Sequence, residues 1–233
     1  MTDSKRLVWD LPLRAFHWLF AASVFASWAT AQPGSEWMKW HLRLGYWMIG
    51  LLVFRLIWGF VGPQHARFTS FLKGPSTIWS YARAFTGRAS AVFESVGHNP
   101  LGALMVVVML LLVAFQVTTG LFSSDDIAWT GPYYPKVTDA TAQRLTALHH
   151  TNFNLILAAI CLHVVAIVYY TFVKRQPLVP AMLTGYKPAS AVPEHAAIRS
   201  SQLAKAAIVI AVAAAAVCWL VSAAPPAVAP SGF

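Results

Sequence analysis

The chain has 233 residues, of which 58% are hydrophobic and only 11% charged, with a mean hydropathy of +0.57. A soluble domain is usually near a quarter charged, so this composition excludes an ordinary soluble enzyme and leaves no room for a separate soluble domain. The net charge of +9 would suggest nucleic acid on a soluble protein, but here the basic residues flank apolar runs, so topology explains them and no nucleic-acid partner is expected.

A transmembrane helix needs about 20 mainly apolar residues. Five stretches meet or approach this: residues 13–31, 44–61 (interrupted by Arg55), 100–122 (free of charge), 145–173 and the alanine- and valine-rich 206–224. Lys5 and Arg6 before the first run, with Ala29-Thr30-Ala31 after it, imitate a cleavable signal, but the run is long and holds His17 and tryptophans, so cleavage is not expected. Residues 68–96 read as a cytoplasmic loop with a short amphipathic helix at 78–85. Residues 123–143 read as an outer loop holding Asp125, Asp126, Asp139, Tyr133 and Tyr134. Residues 176–202 read as a polar cytoplasmic linker, and the tail 223–233, with three prolines, as disordered. Cys161 and Cys218 both lie in apolar runs, and no C-x-x-C-H motif for covalent haem attachment occurs.

With the N-terminus in the cytoplasm, only Lys39, Arg43, Lys136 and Arg144 of the 17 basic residues face outward. That bias is what positive-inside sorting demands, and it predicts a multi-pass membrane protein with a cytoplasmic N-terminus. Trp37, Trp40, Trp58 and Trp129 fall near the expected interfaces, where an amphipathic ring is stable.

Eight histidines occur, and His65, His98 and His195 fall in expected loops. The other five lie in or at the ends of apolar runs, where an ionisable group is a functional candidate because its burial is costly. His17 lies near the inner end of the first run, and His163 deep in the fourth. His41 opens the second run and His149 and His150 the fourth, both at the outer side. At about 100° per residue, His149 and His163 differ by only about 40° in direction, whereas His150 and His163 differ by about 140°. At about 1.5 Å per residue the first two are about 21 Å apart along the axis. This gives an inner pair, His17 with His163, and an outer pair, His41 with His149. Neutral imidazole is a good axial ligand for haem iron. Two ligands from two helices leave no open position, which suits electron transfer. A lone membrane histidine can simply bond a neighbouring hydroxyl or carbonyl, but four paired by depth and face favour haem over that reading and over zinc, which prefers a closed shell.

The sequence also resembles the bacterial cytochrome b561 family, especially the branch related to the b-type subunits of nickel-iron hydrogenases. The residues are Val8-Trp9-Asp10-Leu11-Pro12 with Arg14 and Phe16-His17-Trp18; Trp40-His41 with Gly45-Tyr46; Phe54-Arg55-Leu56 with Trp58-Gly59-Phe60-Val61-Gly62; and His65-Ala66-Arg67-Phe68 with Gly74-Pro75. Gly97-His98-Asn99-Pro100-Leu101-Gly102-Ala103, Thr119-Gly120-Leu121-Phe122, Leu148-His149, Asn154 and Leu162-His163 continue it, over residues 8 to about 187. The resemblance implies an all-α membrane protein, a four-helix transmembrane bundle binding two haems b. Its ligands carry over to His17, His41, His149 and His163, and it implies electron exchange between a redox partner and the quinone pool, ubiquinone or menaquinone. His150 stands where such proteins often have glutamate, and the fifth, C-terminal helix lies outside the shared pattern. The expected division is a dihaem domain at 1–187, a cytoplasmic linker at 188–203, and a fifth transmembrane helix with tail at 204–233.

Other residues admit two readings. Arg55 and Arg14 either snorkel to the interface or pair with a haem propionate as bidentate donors, and Arg67 poses the same question. Gly45, one turn after His41, offers space for a macrocycle; Gly50 and Gly120 read first as close-packing positions. Asn154 could orient a ligand or bond a carbonyl across helices. Asn99-Pro100 reads as a cap and first-turn proline, which makes His98 interfacial. The expected function is a dihaem b-type cytochrome relaying electrons between quinone and a periplasmic c-type cytochrome. The alternatives are a superoxide:quinone oxidoreductase, whose outer cations Lys39, Arg43, Lys136 and Arg144 would form a funnel; the haem b membrane anchor of a hydrogenase-like dehydrogenase; and a non-redox transporter or scaffold.

Overall fold

The computed structural model describes residues 4–85 and 95–226. In chain order the elements are β1 (Lys5–Leu7), α1 (Leu11–Thr30), α2 (Met38–Val61), α3 (Phe68–Phe71), α4 (Pro75–Phe85), α5 (Pro100–Gly120), α6 (Asp139–Phe172), α7 (Leu178–Thr184), β2 (Tyr186–Pro188) and α8 (Leu203–Ser222), with short 3-10 turns between. The protein is an all-α membrane bundle carrying one small antiparallel ribbon, β1 with β2. Four helices, α2, α5, α6 and α8, are long and apolar enough to cross a bilayer. Helix α1 has the length, at 20 residues, but Arg14, His17, Ser23, Ser27 and Thr30 dilute its apolarity. Side chains such as Leu111, Val165 and Ile208 point outward, as lipid-facing residues do.

The helix starts follow local capping chemistry. Asp10 Oδ1 accepts the Leu13 N–H (2.9 Å) at the head of α1, and Asn99 Oδ1 accepts the Gly102 N–H (2.7 Å) at the head of α5; both are side chains that satisfy an orphan first-turn donor. Pro100 follows Asn99 at the first helical position, as the sequence suggests. Thr138 caps α6 through the Thr141 N–H (3.3 Å), so the helix begins at Asp139 and the loop before it is shorter than the expected residues 123–143. Helix α2 likewise begins at Met38, with Lys39 and Arg43 inside it.

The contacts divide into two compact units. The first comprises Met1–Phe16, Arg55–Met109 and Ala159–Val209. Here the stretch expected as a plain linker is structured: α7 ends at Gly185, whose φ of +90° is left-handed and natural to glycine. The Gly185 carbonyl accepts the N–H groups of Val8 and Trp9, and a Cβ there would lie 2.6 Å from the Trp9 carbonyl. β2 then pairs Lys187 with Arg6, and the Arg6 guanidinium donates to the carbonyls of Ala189 and Val192. Trp58, expected at an interface, is fully buried instead; its indole N–H finds a carboxylate oxygen on Asp10 at 2.9 Å, which makes the burial of a polar tip tolerable.

The second unit comprises His17–Phe54, Leu110–Ala158 and Ile210–Phe233. Within it α1 and α2 are linked by the Trp47 indole N–H donating to Ser23 Oγ (3.0 Å), and α5 and α6 by the Asn152 amide donating to the Leu112 carbonyl (2.9 Å) and to Gln116 Oε1 (2.7 Å). Helix α8 lays Val217 against Gly50 of α2, 3.4 Å from where a Cβ would stand, and its Leu220 carbonyl accepts the Tyr133 hydroxyl (2.7 Å). Of the expected disordered tail, residues 227–233 lie outside the described residues.

Candidate haem-binding site

His41 stands in the first turn of α2 and His149 in the first third of α6, and the second unit brings their rings to 6.1 Å between centroids, with planes at 77°. One ion about 2 Å from a nitrogen of each ring fits within that separation. Each ring is already held through Nδ1. His41 Nδ1–H donates to the Ser27 carbonyl at 2.8 Å, a group in the last turn of α1 and so lacking its own helical donor. His149 Nδ1–H donates to the Gln116 carbonyl at 3.0 Å, and Thr119 Oγ1 lies 3.2 Å from the same nitrogen. A ring nitrogen that donates to a carbonyl fixes the tautomer and turns the other nitrogen into the ligand, the pattern that surrounds metal-binding histidines. In both rings this leaves Nε2 as the nitrogen that could take a metal.

Space and support lie where a macrocycle needs them. A Cβ built on Gly45 meets nothing within 4 Å, so the position beside His41 is open. A Cβ on Gly120 would come within 3.0 Å of the His149 ring; this glycine lets α5 approach the imidazole and set its angle. Asn152 is buried and joins Gln116 to α6, whereas Asn154, the asparagine singled out in the sequence, is exposed. The signal was present: Asn152 is three residues from His149 and shares its face, and Asn154 does not. These residues fit an imidazole-ligated haem. His150 is exposed on the adjoining face, its ring 6.2 Å from that of His149.

His17 and His163 are both partly buried on the expected helices, α1 and α6. Arg55 does not snorkel: it is 2% exposed, donates to the Ala66 carbonyl (3.2 Å) and lies over the Phe68 ring at 4.5 Å. Arg14 donates to the Leu183 carbonyl of α7, which ties it to the ribbon region, and Arg67 is exposed. His98 is partly buried, its ring 4.8 Å from Trp9 and 4.7 Å from Phe71. Of the outer cations, Lys39 is paired with Glu36 at 2.8 Å and Arg43 stacks on Trp40 at 4.9 Å, which spends part of any cationic funnel. In the loop between α5 and α6, burial pushes the Asp125 carboxyl up, but the Gly34 N–H on Oδ2 and the N–H groups of Trp129, Ala128 and Ile127 on Oδ1 outweigh it and hold the group below the ordinary carboxylate range; its role is to shape the turn.

Residues 8–185 match the family described as prokaryotic cytochrome b561. Among curated proteins, the chain is similar to the probable Ni/Fe-hydrogenase B-type cytochrome subunit of Rhodobacter capsulatus, at 24% identity over 77% of this chain and 80% of that one. The proteins of the same description from Azotobacter vinelandii and Cupriavidus necator are 22% and 23% identical, over 77% of this chain and 87% and 86% of theirs. No solved structure matches the chain. With the match running from residue 8 to 185, well over half of its length, the chain belongs to the prokaryotic cytochrome b561 family and is a membrane b-type cytochrome of electron transfer.

Proposed function

We propose that the protein is a dihaem relay of the bacterial inner membrane, with its N-terminus in the cytoplasm, that passes electrons between the quinone pool and a redox protein. His41 and His149 hold one haem b and His17 and His163 the other. A bound haem supplies one-electron cycling between ferric and ferrous iron. The chain supplies the rest. Its imidazoles would hold the haems, and the carbonyls of Ser27 and Gln116 keep the rings of His41 and His149 oriented for that. The observation that carries the reading is that two rings 6.1 Å apart are each held through Nδ1 by a carbonyl, which leaves Nε2 of each as the nitrogen that one shared iron would take.

The test is a haem-to-protein ratio with a reduced-minus-oxidised spectrum on the purified chain. Two haems per chain are expected, falling to one in His41→Ala, His149→Ala, His17→Ala and His163→Ala. A colourless protein, or four variants that all keep both haems, refutes the proposal.

A second reading has the chain anchoring a hydrogenase-like dehydrogenase, and the descriptions of its relatives favour it. Purification in mild detergent separates the two. A stoichiometric metal-containing subunit identifies an anchor, and reduction of the haems by a quinol, followed by oxidation by a c-type cytochrome, identifies the free relay.

A further inference from the structure

The first unit holds the C-terminal ends of the spanning helices α2 and α6 and the N-terminal ends of α5 and α8, the ends that the charge bias assigns to the cytoplasm. It also holds α4, which at 11 residues is too short to cross the hydrocarbon layer. One bond fixes the depth of α4. The hydroxyls of Tyr81 and Tyr170 are hydrogen-bonded at 2.7 Å, and Tyr170 stands two residues before the end of α6 at Phe172. There the apolar run gives way to Lys174 and Arg175, so α4 lies at the level where a span leaves the hydrocarbon. The outward stripe of α4 is Ser76, Trp79, Ser80 and Arg83, all exposed, and Trp79 is 68% so. An indole beside a guanidinium suits the headgroup layer, where the ring sits at the interface and the cation meets phosphate. The surrounding charge is one-sided. Residues 63–94 carry Arg67, Lys73, Arg83 and Arg88 against Glu94 alone, and residues 173–193 carry Lys174, Arg175 and Lys187 with no acid. After α6 the chain folds back, with the Gln176 N–H on the Tyr170 carbonyl at 3.0 Å and Arg175 at a φ of +52°. Lys174 and Arg175 thus stay at the turn that carries Tyr170, both exposed. Cations at a helix C-terminus answer its dipole, which accounts for these two and leaves Lys73, Trp79 and Arg83 unexplained.

We infer that α4 and the end of α6 form a site for the headgroups of anionic phospholipids, with Trp79 as the ring that sets its depth and Lys73, Arg83, Lys174 and Arg175 as its counter-charge. Charge complementarity and depth together select this occupant. A basic cluster beside a span and on a short amphipathic helix attracts lipids of net negative charge, and an acidic protein in the cytoplasm would not need α4 held at the hydrocarbon boundary. A helix of three turns is marginal by itself; the Tyr81–Tyr170 bond ties it to α6 at the level of the phosphates. The inference stands apart from the haem reading.

The test uses the full-length holoprotein in detergent, titrated with phosphatidylglycerol or with phosphatidylcholine and read by native mass spectrometry. The parent is expected to prefer phosphatidylglycerol. Lys73→Gln, Arg83→Gln, Lys174→Gln and Arg175→Gln are each expected to weaken that binding about fivefold and to leave phosphatidylcholine unchanged. Lys39→Gln and Lys136→Gln, in the second unit, are expected to change neither. Salt gives a check that needs no variant, because screening should weaken phosphatidylglycerol binding to the parent. The second readout is depth. With Cys161 and Cys218 replaced by alanine, Ser80→Cys carries a fluorophore in nanodiscs of the two lipids mixed. A nitroxide on the lipid headgroup is expected to quench it more than iodide in the water does, and Trp79→Ala to reduce that quenching. Equal phosphatidylglycerol affinity in the parent and the fourfold variant, or binding indifferent to salt, overturns the inference. So does a label that iodide quenches and the headgroup nitroxide does not reach, a result that would leave this face to a protein partner.

Discussion

The Trp58 indole N–H donates to the same Asp10 oxygen, Oδ1, that caps α1, each bond 2.9 Å long. One buried carboxyl oxygen thus starts one helix and fastens another. Asp10→Ala removes a cap worth about 1 kcal/mol and strands a buried indole donor at a further 1–3 kcal/mol or so, while Trp58→Phe loses only the bond. Unfolding in detergent micelles is expected to show the double variant much less destabilised than the sum of the singles. Strict additivity would mean the two residues are not coupled.

Two glycines beside the outer histidines are predicted to behave differently. Gly45→Phe fills open space and is expected to halve the haem content. Gly120→Ala places a methyl within 3.0 Å of the His149 ring, so the haem is retained with an altered midpoint potential and spectrum. A haem ratio and redox titration of both variants check this; a full haem complement in Gly45→Phe would show that the macrocycle lies elsewhere.

The two asparagines on α6 offer an internal contrast. Asn152→Ala breaks two bonds to α5, and interhelical hydrogen bonds in membranes are worth about 0.6–2 kcal/mol each. It is expected to lower the melting temperature and loosen His149 through Gln116. Asn154→Ala, on an exposed position, should stay within about 0.5 kcal/mol of the parent. Equal losses would contradict the assigned roles.

Acid should weaken the first unit. Burial holds the His65 imidazole below its ordinary value of 6.5, with Lys187 adding to the effect and the Ala196 carbonyl and Asp10 opposing it. A depressed folded pKa means that the unfolded chain takes up the proton first, so this stability is present above pH 6.5 and is lost as pH falls toward the folded value. Thermal unfolding between pH 8 and 4 should show the decline, with a shallower slope in His65→Asn. An unchanged slope would mean that His65 does not titrate with unfolding.

The membrane spans were legible because apolar runs long enough to cross a bilayer have few other uses. That the rings of His41 and His149 meet was legible because both residues stand at the same end of their apolar runs, and helical phase favoured 149 over 150. What stayed hidden was set by long-range partners or by polar residues inside helices. The ribbon joins residues 5–7 to 186–188, three residues on each side with no local pattern to announce the pairing. Helix α6 starts six residues before its apolar run, because Thr138 caps it and the first turns stand among polar side chains. Trp58 read as interfacial because a tryptophan near a span end usually is; only the buried Asp10 explains why it is not.

Helix α6 runs without a break for 34 residues, about 51 Å, against a hydrocarbon layer about 30 Å thick. Such a rod answers a thinner or thicker membrane by leaning, not by stretching. Residues 149 and 163 therefore keep a spacing of about 21 Å along the axis of this one helix whatever lipid surrounds it.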